Sequence, residues 1–196
     1  MKVLVETSAR HVHLTENDFE ILFGKDAKLT VKKELSQPGE FASNQKVAII
    51  GPKKSIESVT IIGPFRNQSQ VELSLTDARG LGIKAPVRLS GDVKNSGSCK
   101  IVGPTGEIEL TEGVIIAKRH IHMTNEDANI LGISKNEDVM VKLTTNDRAL
   151  IFDDVSVRIN DNFKLIMHID TDESNAACCN KETYGEIIKK YHEKSK

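Results

Sequence analysis

Tryptophan is missing from this sequence and aromatic residues make up only 4% of it, so a core has to be assembled from Val, Ile and Leu. The three cysteines, Cys99, Cys178 and Cys179, include no Cys-x-x-Cys spacing, which excludes a thiolate-built structural zinc site. They read as free thiols of a reducing compartment. No long apolar run exists, and Met1-Lys2 leads straight into Val3-Leu-Val without the basic, apolar and small-residue succession of a signal peptide. The expectation is a cytoplasmic protein with no membrane as partner. Neither sign of charge dominates: 27 Lys and Arg balance 28 Asp and Glu, for a net charge of -1 and a pI near 6.6. Nothing in that balance favours nucleic acid, and any anion site must be local. A Gly-rich phosphate loop, a nucleophile elbow and a dinucleotide fingerprint are all absent.

What the sequence does hold is a series of short β-branched runs: Val3–Val5, 28–32, Lys46–Ile50, Ser58–Ile62 and Gln70–Leu75, then Val139–Leu143, Ala149–Phe152, Ser156–Ile159 and Leu165–Ile169. Gly51-Pro52 and Gly63-Pro64 punctuate them as turns. Strands so short and evenly spaced indicate a mainly β chain of barrels or sandwiches. Thr15-Glu-Asn-Asp-Phe-Glu-Ile-Leu-Phe opens with a capping residue and acidic first turn and ends at Gly24, the marks of a short helix. The tail, 181–196, reads as a solvated helix. The 196 residues suit two domains of about 100 residues each. Gly- and Ser-rich text from Leu81 to Gly106 sets the boundary, giving a first domain 1–92 and a second 93–196.

The halves repeat one another. Ala9-Arg-His-Val-His-Leu-Thr-Glu-Asn-Asp matches Lys118-Arg-His-Ile-His-Met-Thr-Asn-Glu-Asp almost element by element. Histidines two apart on a strand face the same way, so His11 with His13, and His120 with His122, can each bind one ion. A third donor should come from a later strand, where Glu72 and His168 stand out, each followed by a Thr-Asp pair. Five of the six histidines fall into this scheme, leaving only His192 in the polar tail. Imidazole donors and three-ligand sites favour zinc, with an open position for chemistry. Arg66, delivered by the Gly63-Pro-Phe turn six residues before Glu72, offers a planar fork for phosphate or carboxylate. Lys53-Lys54 is a small basic turn. Thr171-Asp-Glu-Ser carries residues that start helices.

These motifs, with Leu35-Ser-Gln-Pro-Gly-Glu-Phe-Ala, Val71-Glu-Leu-Ser-Leu-Thr-Asp and His168-Ile-Asp-Thr-Asp-Glu-Ser-Asn-Ala-Ala, closely resemble the PduL-type phosphate propanoyltransferases over nearly the whole chain. The resemblance implies two related β-barrel-like domains capped by short helices, with a two-zinc active site between them. It implies interconversion of a short-chain acyl-CoA, propanoyl-CoA or acetyl-CoA, plus phosphate with acyl phosphate plus CoA, the propanoyl case belonging to propanediol degradation. On it, His11, His13 and Glu72 hold one zinc, and His120, His122 and His168 the other. Arg66 takes the phosphate-binding role, and coenzyme A contacts fall on Thr7, Ser8, Ala9, Lys53 and Asn175. One basic CoA contact of the family falls on Thr60, a departure. No N-terminal encapsulation extension precedes Val3, as expected of a freely cytoplasmic member. Self-association into a homo-oligomer is left open. Two rival readings use the same residues: a metal-dependent thioester or phosphoester hydrolase, and a metal-stabilised binding module without catalysis.

Overall fold

The computed structural model describes residues 1–135 and 137–190. In chain order the elements are β1 (Lys2–Thr7), β2 (His11–His13), α1 (Glu16–Phe23), β3 (Val31–Glu34), β4 (Phe41–Ile50), β5 (Ser55–Gly63), β6 (Gln70–Glu72), α2 (Leu75–Leu81), β7 (Val87–Arg88), β8 (Gly97–Val102) and β9 (Glu107–Ala117). They continue as β10 (His120–Met123), α3 (Asn125–Leu131), β11 (Asp138–Leu143), β12 (Leu150–Ile159), β13 (Ile166–Ile169), α4 (Thr171–Ala176) and β14 (Tyr184–Ile188). The chain is mainly β, with short helices, as its composition implies. Among the described residues no helix is long and apolar enough to cross a membrane.

Two compact units emerge, one of residues 9–117 and the other of residues 1–8 together with the chain from Lys118 onward. In the 9–117 unit the strands close a ring in the order β4, β5, β2, β6, β9, β8 and back to β4, with β3 and β7 added at β4 and β9. The other unit closes the ring β11, β12, β10, β13, β1, β14. Each ring has the same pattern. The His-x-His strand is parallel to one neighbour and antiparallel to the other, and that second neighbour pairs in parallel with β9 or β1. Closure leaves neither barrel with open edges along these strands.

The units do not follow the 92/93 division. β8 and β9 bond to β4 and β6 and so stay with the first histidine pair, whereas β1 bonds to β13 and β14 and joins the second. Each strand that leads into a histidine pair thus completes the other unit's ring. The tail differs as well: over 184–188 it is a strand, not a helix, while 191–196 lie outside the described residues. Gly185 explains this, since a Cβ there would strike Val141 Cγ1, and Ile187 is buried in the barrel. A further difference follows Glu72, where Ser74 accepts from Asp77 N–H and caps α2 instead of letting the strand run to Leu75. The expected strands 149–152 and 156–159 are one strand, β12, bent at Asp154 with φ 50°. The expected strand 28–32 lies a few residues further on as β3.

Period-two alternation sets what each barrel keeps inside. Val12 lies opposite Val71, and both are wholly buried in a core with Leu14, Phe19, Ile49, Ile61 and Ile101. Ile121 lies opposite Met167 in a core with Val5, Val141, Leu143 and Val155. Each such aliphatic burial contributes roughly 1.5–3 kcal/mol. Since neighbours along a strand point to opposite faces, fixing Val12, Val71, Ile121 and Met167 inward fixes the histidines and their partners on the other face.

Candidate functional site

In the 9–117 unit the antiparallel register sets His11 beside Glu72 and His13 beside Gln70. All four side chains are buried. One donor atom from each of His11, His13 and Glu72 lies within 4.8 Å of the others. His11 Nε2 is 3.1 Å from His13 Nε2 and 3.4 Å from Glu72 Oε2. His11 Nδ1 donates to the Ala9 carbonyl at 2.8 Å, which leaves its Nε2 lone pair directed at the cluster. Burial, with His11 and Arg66 nearby, lowers His13 to about 3, so it is neutral near pH 7. Burial pushes Glu72 up, but His11, His13, Ser90 and Arg66 outweigh it and hold the carboxyl near 2, ionised. Among the described residues, the buried His13 Nδ1 meets no partner of good hydrogen-bond geometry, and the Ile62 backbone is the polar group that acts on the ring. Two imidazoles and an ionised carboxylate converging where all three side chains are buried form a donor set that a divalent cation fits.

Glu72 is anchored from behind. Its Oε1 accepts from Ser90 Oγ at 2.6 Å and from Gln70 Nε2 at 2.6 Å, while Gln70 Oε1 accepts from Gly91 N–H at 2.8 Å. That last bond fixes which way the Gln70 amide points. Arg66 Nη1 donates to the same Ser90 oxygen at 3.0 Å, and Nη2 lies 3.5 Å from Glu40 Oε1. One hydroxyl therefore separates the guanidinium from the carboxylate. Phe65, Arg66, Gln70 and Gly91 help line a pocket of about 430 Å³. The turn that carries Arg66 is packed closely, because a Cβ on Gly63 would overlap the Phe41 ring. Ser90, Gln70 and Glu40 escape the sequence reading. Gln70 had a usable signal, its position two residues before Glu72 on one strand face.

The second unit repeats the cluster with a different third member. His120 pairs with His168 across β10 and β13, and His120, His122 and His168 offer donor atoms within 4.8 Å of one another. His120 Nδ1 donates to the Lys118 carbonyl at 2.9 Å, as His11 does to Ala9. His122 is lowered to about 2 by burial and by His120, His168 and Arg158, and among the described residues its buried Nδ1 meets no hydrogen-bond partner. The Phe163 ring lies tilted against the His122 ring, 4.4 Å between centroids. Glu6 Oε2 lies 3.5 Å from His168 Nε2.

The repeated arginine before each pair also has a place. Arg10 Nη1 donates to both oxygens of Asp77 at 3.0 Å, and Arg119 Nη1 donates to Glu173 Oε1 at 2.8 Å. Asp77 and Glu173 are each the third residue of the helix after the Glu72 or His168 strand. Of the remaining expected residues, Thr7 donates to Ser174 Oγ at 2.7 Å and Ser8 N–H bonds the Ile169 carbonyl, which sets both alongside α4, where Asn175 is exposed. Ala9 is exposed, and its carbonyl orients His11. Lys53 is exposed in the β4–β5 turn, its N–H bonded to the Leu81 carbonyl. Cys99 is buried, its thiol pushed up to about 12, and burial also raises Cys179. Neither thiol is activated.

The sequence meets its counterpart in known proteins. The family described as phosphate propanoyltransferase matches residues 4–180. A phosphate propanoyltransferase of Clostridioides difficile is 50% identical over 186 residues, covering 95% of this chain and 88% of that protein. One from Shewanella putrefaciens is 53% identical over 170 residues, covering 87% and 80%, and one from Thermotoga maritima is 49% identical over 178 residues, covering 91% and 85%. With nearly all of both barrels inside these matches, the chain belongs to the phosphate propanoyltransferase family, a family of acyl transferases.

Proposed function

We propose that the protein moves a short acyl group, propanoyl or acetyl, between coenzyme A and phosphate, using two zinc ions per chain. The observation that carries this reading is the Arg66–Ser90–Glu72 connection, which puts an anion-binding guanidinium one hydroxyl away from a cation-binding carboxylate. His11, His13 and Glu72 would hold one ion and His120, His122 and His168 the other. Zinc on such donors supplies a Lewis acid and a partner for thiolate sulfur. In the forward direction a phosphate oxygen forms a C–O bond to the thioester carbonyl carbon, the C–S bond breaks, and coenzyme A leaves as thiolate.

The chain's own contribution is alignment and charge placement. Arg66 binds and orients phosphate, exchanging its loose contact with Glu40 for phosphate oxygens. Neutral His13 and His122 and ionised Glu72 need no proton removed before they can ligate. Thr7, Ser8, Ala9, Asn175 and Lys53 are the proposed coenzyme A contacts, Lys53 as a cation for a phosphate group. No covalent acyl-enzyme is required. The test is release of coenzyme A from a series of acyl-CoAs, with and without phosphate, on protein of known metal content. Phosphate-dependent release with acyl phosphate as product is expected. Release that ignores phosphate would make the protein a thioester hydrolase instead, and chelation that unfolds a chain without turnover would make the metals structural.

A further inference from the structure

Arg66 has an acidic neighbour that its anion-binding role does not call for. Antiparallel pairing of β4 with β5 sets Phe41 beside Gly63, so Glu40, just before the one, and Arg66, in the turn after the other, meet at the same end of the pair. Backbone bonds hold each residue in place without help from the other. The Glu40 carbonyl accepts from Leu35 N–H at 2.9 Å, which closes the turn before β4, and Arg66 N–H donates to the Leu14 carbonyl at 2.9 Å. The two ends of the guanidinium then serve different partners, Nη1 donating to Ser90 and Nη2 lying near Glu40. The second contact is loose. Nη2 and Oε1 are 3.5 Å apart, where a direct charged hydrogen bond draws N and O to about 2.7–2.9 Å.

An ion pair this loose leaves room for a third atom. An anion oxygen about 2.7–2.9 Å from Nη2 can also stand about 2.5–2.7 Å from Oε1, because those lengths together exceed the 3.5 Å between the two atoms. Once the guanidinium has turned to such an anion, the Glu40 carboxylate is left facing it. What happens next depends on the anion's own proton. Near neutral pH phosphate keeps one, and its P–O–H donates to Oε1, the proton being shared and not transferred. Sulfate has none to offer, so its oxygens and the carboxylate meet as like charges, which is how a site rejects one ligand while it accepts another of nearly the same shape. With side-chain exposures of 38% for Glu40 and 32% for Arg66, water softens that repulsion without removing it.

We propose that Glu40 is a specificity-determining residue of the Arg66 anion site, which accepts the proton of hydrogenphosphate and keeps out oxyanions that carry none. The inference rests on the reading of Arg66 as the phosphate contact, and it narrows the acyl acceptor to a protonated tetrahedral oxyanion, a class that includes arsenate and excludes sulfate.

The experiment uses the full chain, loaded with zinc, and displacement of radiolabelled phosphate by sulfate or arsenate near pH 7 at constant ionic strength. Glu40→Gln keeps the side chain's size at a partly exposed position and offers an N–H where the carboxylate accepted. Relative to phosphate, sulfate should bind Glu40→Gln about tenfold or more tightly than it binds the wild type, while arsenate competes equally well in both. An unchanged ratio of sulfate to phosphate affinity overturns the proposal. That includes the case in which both anions bind more tightly, since Glu40 is then a plain competitor for Arg66. Arsenate excluded along with sulfate overturns it too. Glu40→Asp keeps the charge and should still reject sulfate, so an Asp variant as open to sulfate as the Gln variant counts against the proton-accepting role. Phosphate affinity that Arg66→Ala leaves unchanged defeats the phosphate reading of Arg66 itself, which separates the two failures.

Discussion

The two barrels share a strand ring and a His-x-His strand, but they surround the third member of the cluster differently. Where Gln70 faces His13 in one barrel, Ile166 faces His122 in the other. Glu72 is held by Gln70 and Ser90 and connected through Ser90 to Arg66. His122 and His168 instead meet Phe163, Ile166 and, at the edge, Glu6. Duplication conserved what the strand period dictates, the paired imidazoles, and left the across-strand positions free to diverge. One surrounding is polar and carries a guanidinium, and the other is more apolar.

On the proposed reading, both centres serve the reaction. His13→Ala and His168→Ala each remove one donor, and each should take the metal content from two ions per chain to one while lowering activity by at least about a hundredfold. Metal analysis beside the coenzyme A release assay checks this. A His168→Ala protein with two ions and full activity would remove the second cluster from the mechanism.

Arg66→Ala comes next in size and should act on one side only. A guanidinium–phosphate interaction contributes about 1.5–3 kcal/mol, so KM for phosphate should rise about ten- to a hundredfold while both ions remain. Equal losses for phosphate and for acyl-CoA would show that Arg66 acts as general scaffold. Gln70→Leu should be milder. With one anchor of Glu72 removed, affinity at the first centre is expected to fall about tenfold and at the second not at all. A chelator competition that resolves the two sites reads this, and equal weakening of both would erase the difference between the surroundings.

Much of this was legible in the sequence because period-two alternation is local: His11 and His13 share a face whatever the rest of the chain does, and the repeat doubles the signal. Glu72 and His168 were legible from their matching Thr-Asp sequels. What stayed hidden depends on pairings between distant strands. Nothing near Glu6 indicates that it lies beside His168, and nothing near β9 indicates that it completes the first barrel and not the second. Ser90 sits in Gly-rich text that reads as a connector, yet its hydroxyl joins Glu72 to Arg66. The tail misled because Lys and Glu favour helix locally, while the ring needed a sixth strand between β1 and β11, and Gly185 and Ile187 fit it.

The smallest expected effect concerns the arginines that the repeat preserves. Arg10 and Arg119 both tie the histidine strand to the helix after the third cluster member, but in different settings. Arg10 is 45% exposed in its pair with Asp77, so solvent and salt screen it, and Arg10→Ala should cost at most about 1 kcal/mol. Arg119 is 29% exposed, donates also to the Asp153 carbonyl at 2.7 Å, and sits over the Phe152 ring at 5.3 Å. Losing packing and a cation–π contact along with the ion pair, Arg119→Ala should cost about 1–2 kcal/mol. Urea midpoints at low and high salt separate the cases. The Arg10→Ala deficit should shrink in high salt, whereas most of the Arg119→Ala deficit should persist, because apolar contact with Phe152 is not screened. Deficits of equal size and equal salt dependence would mean that the two arginines are equivalent struts and that divergence stopped at the clusters themselves.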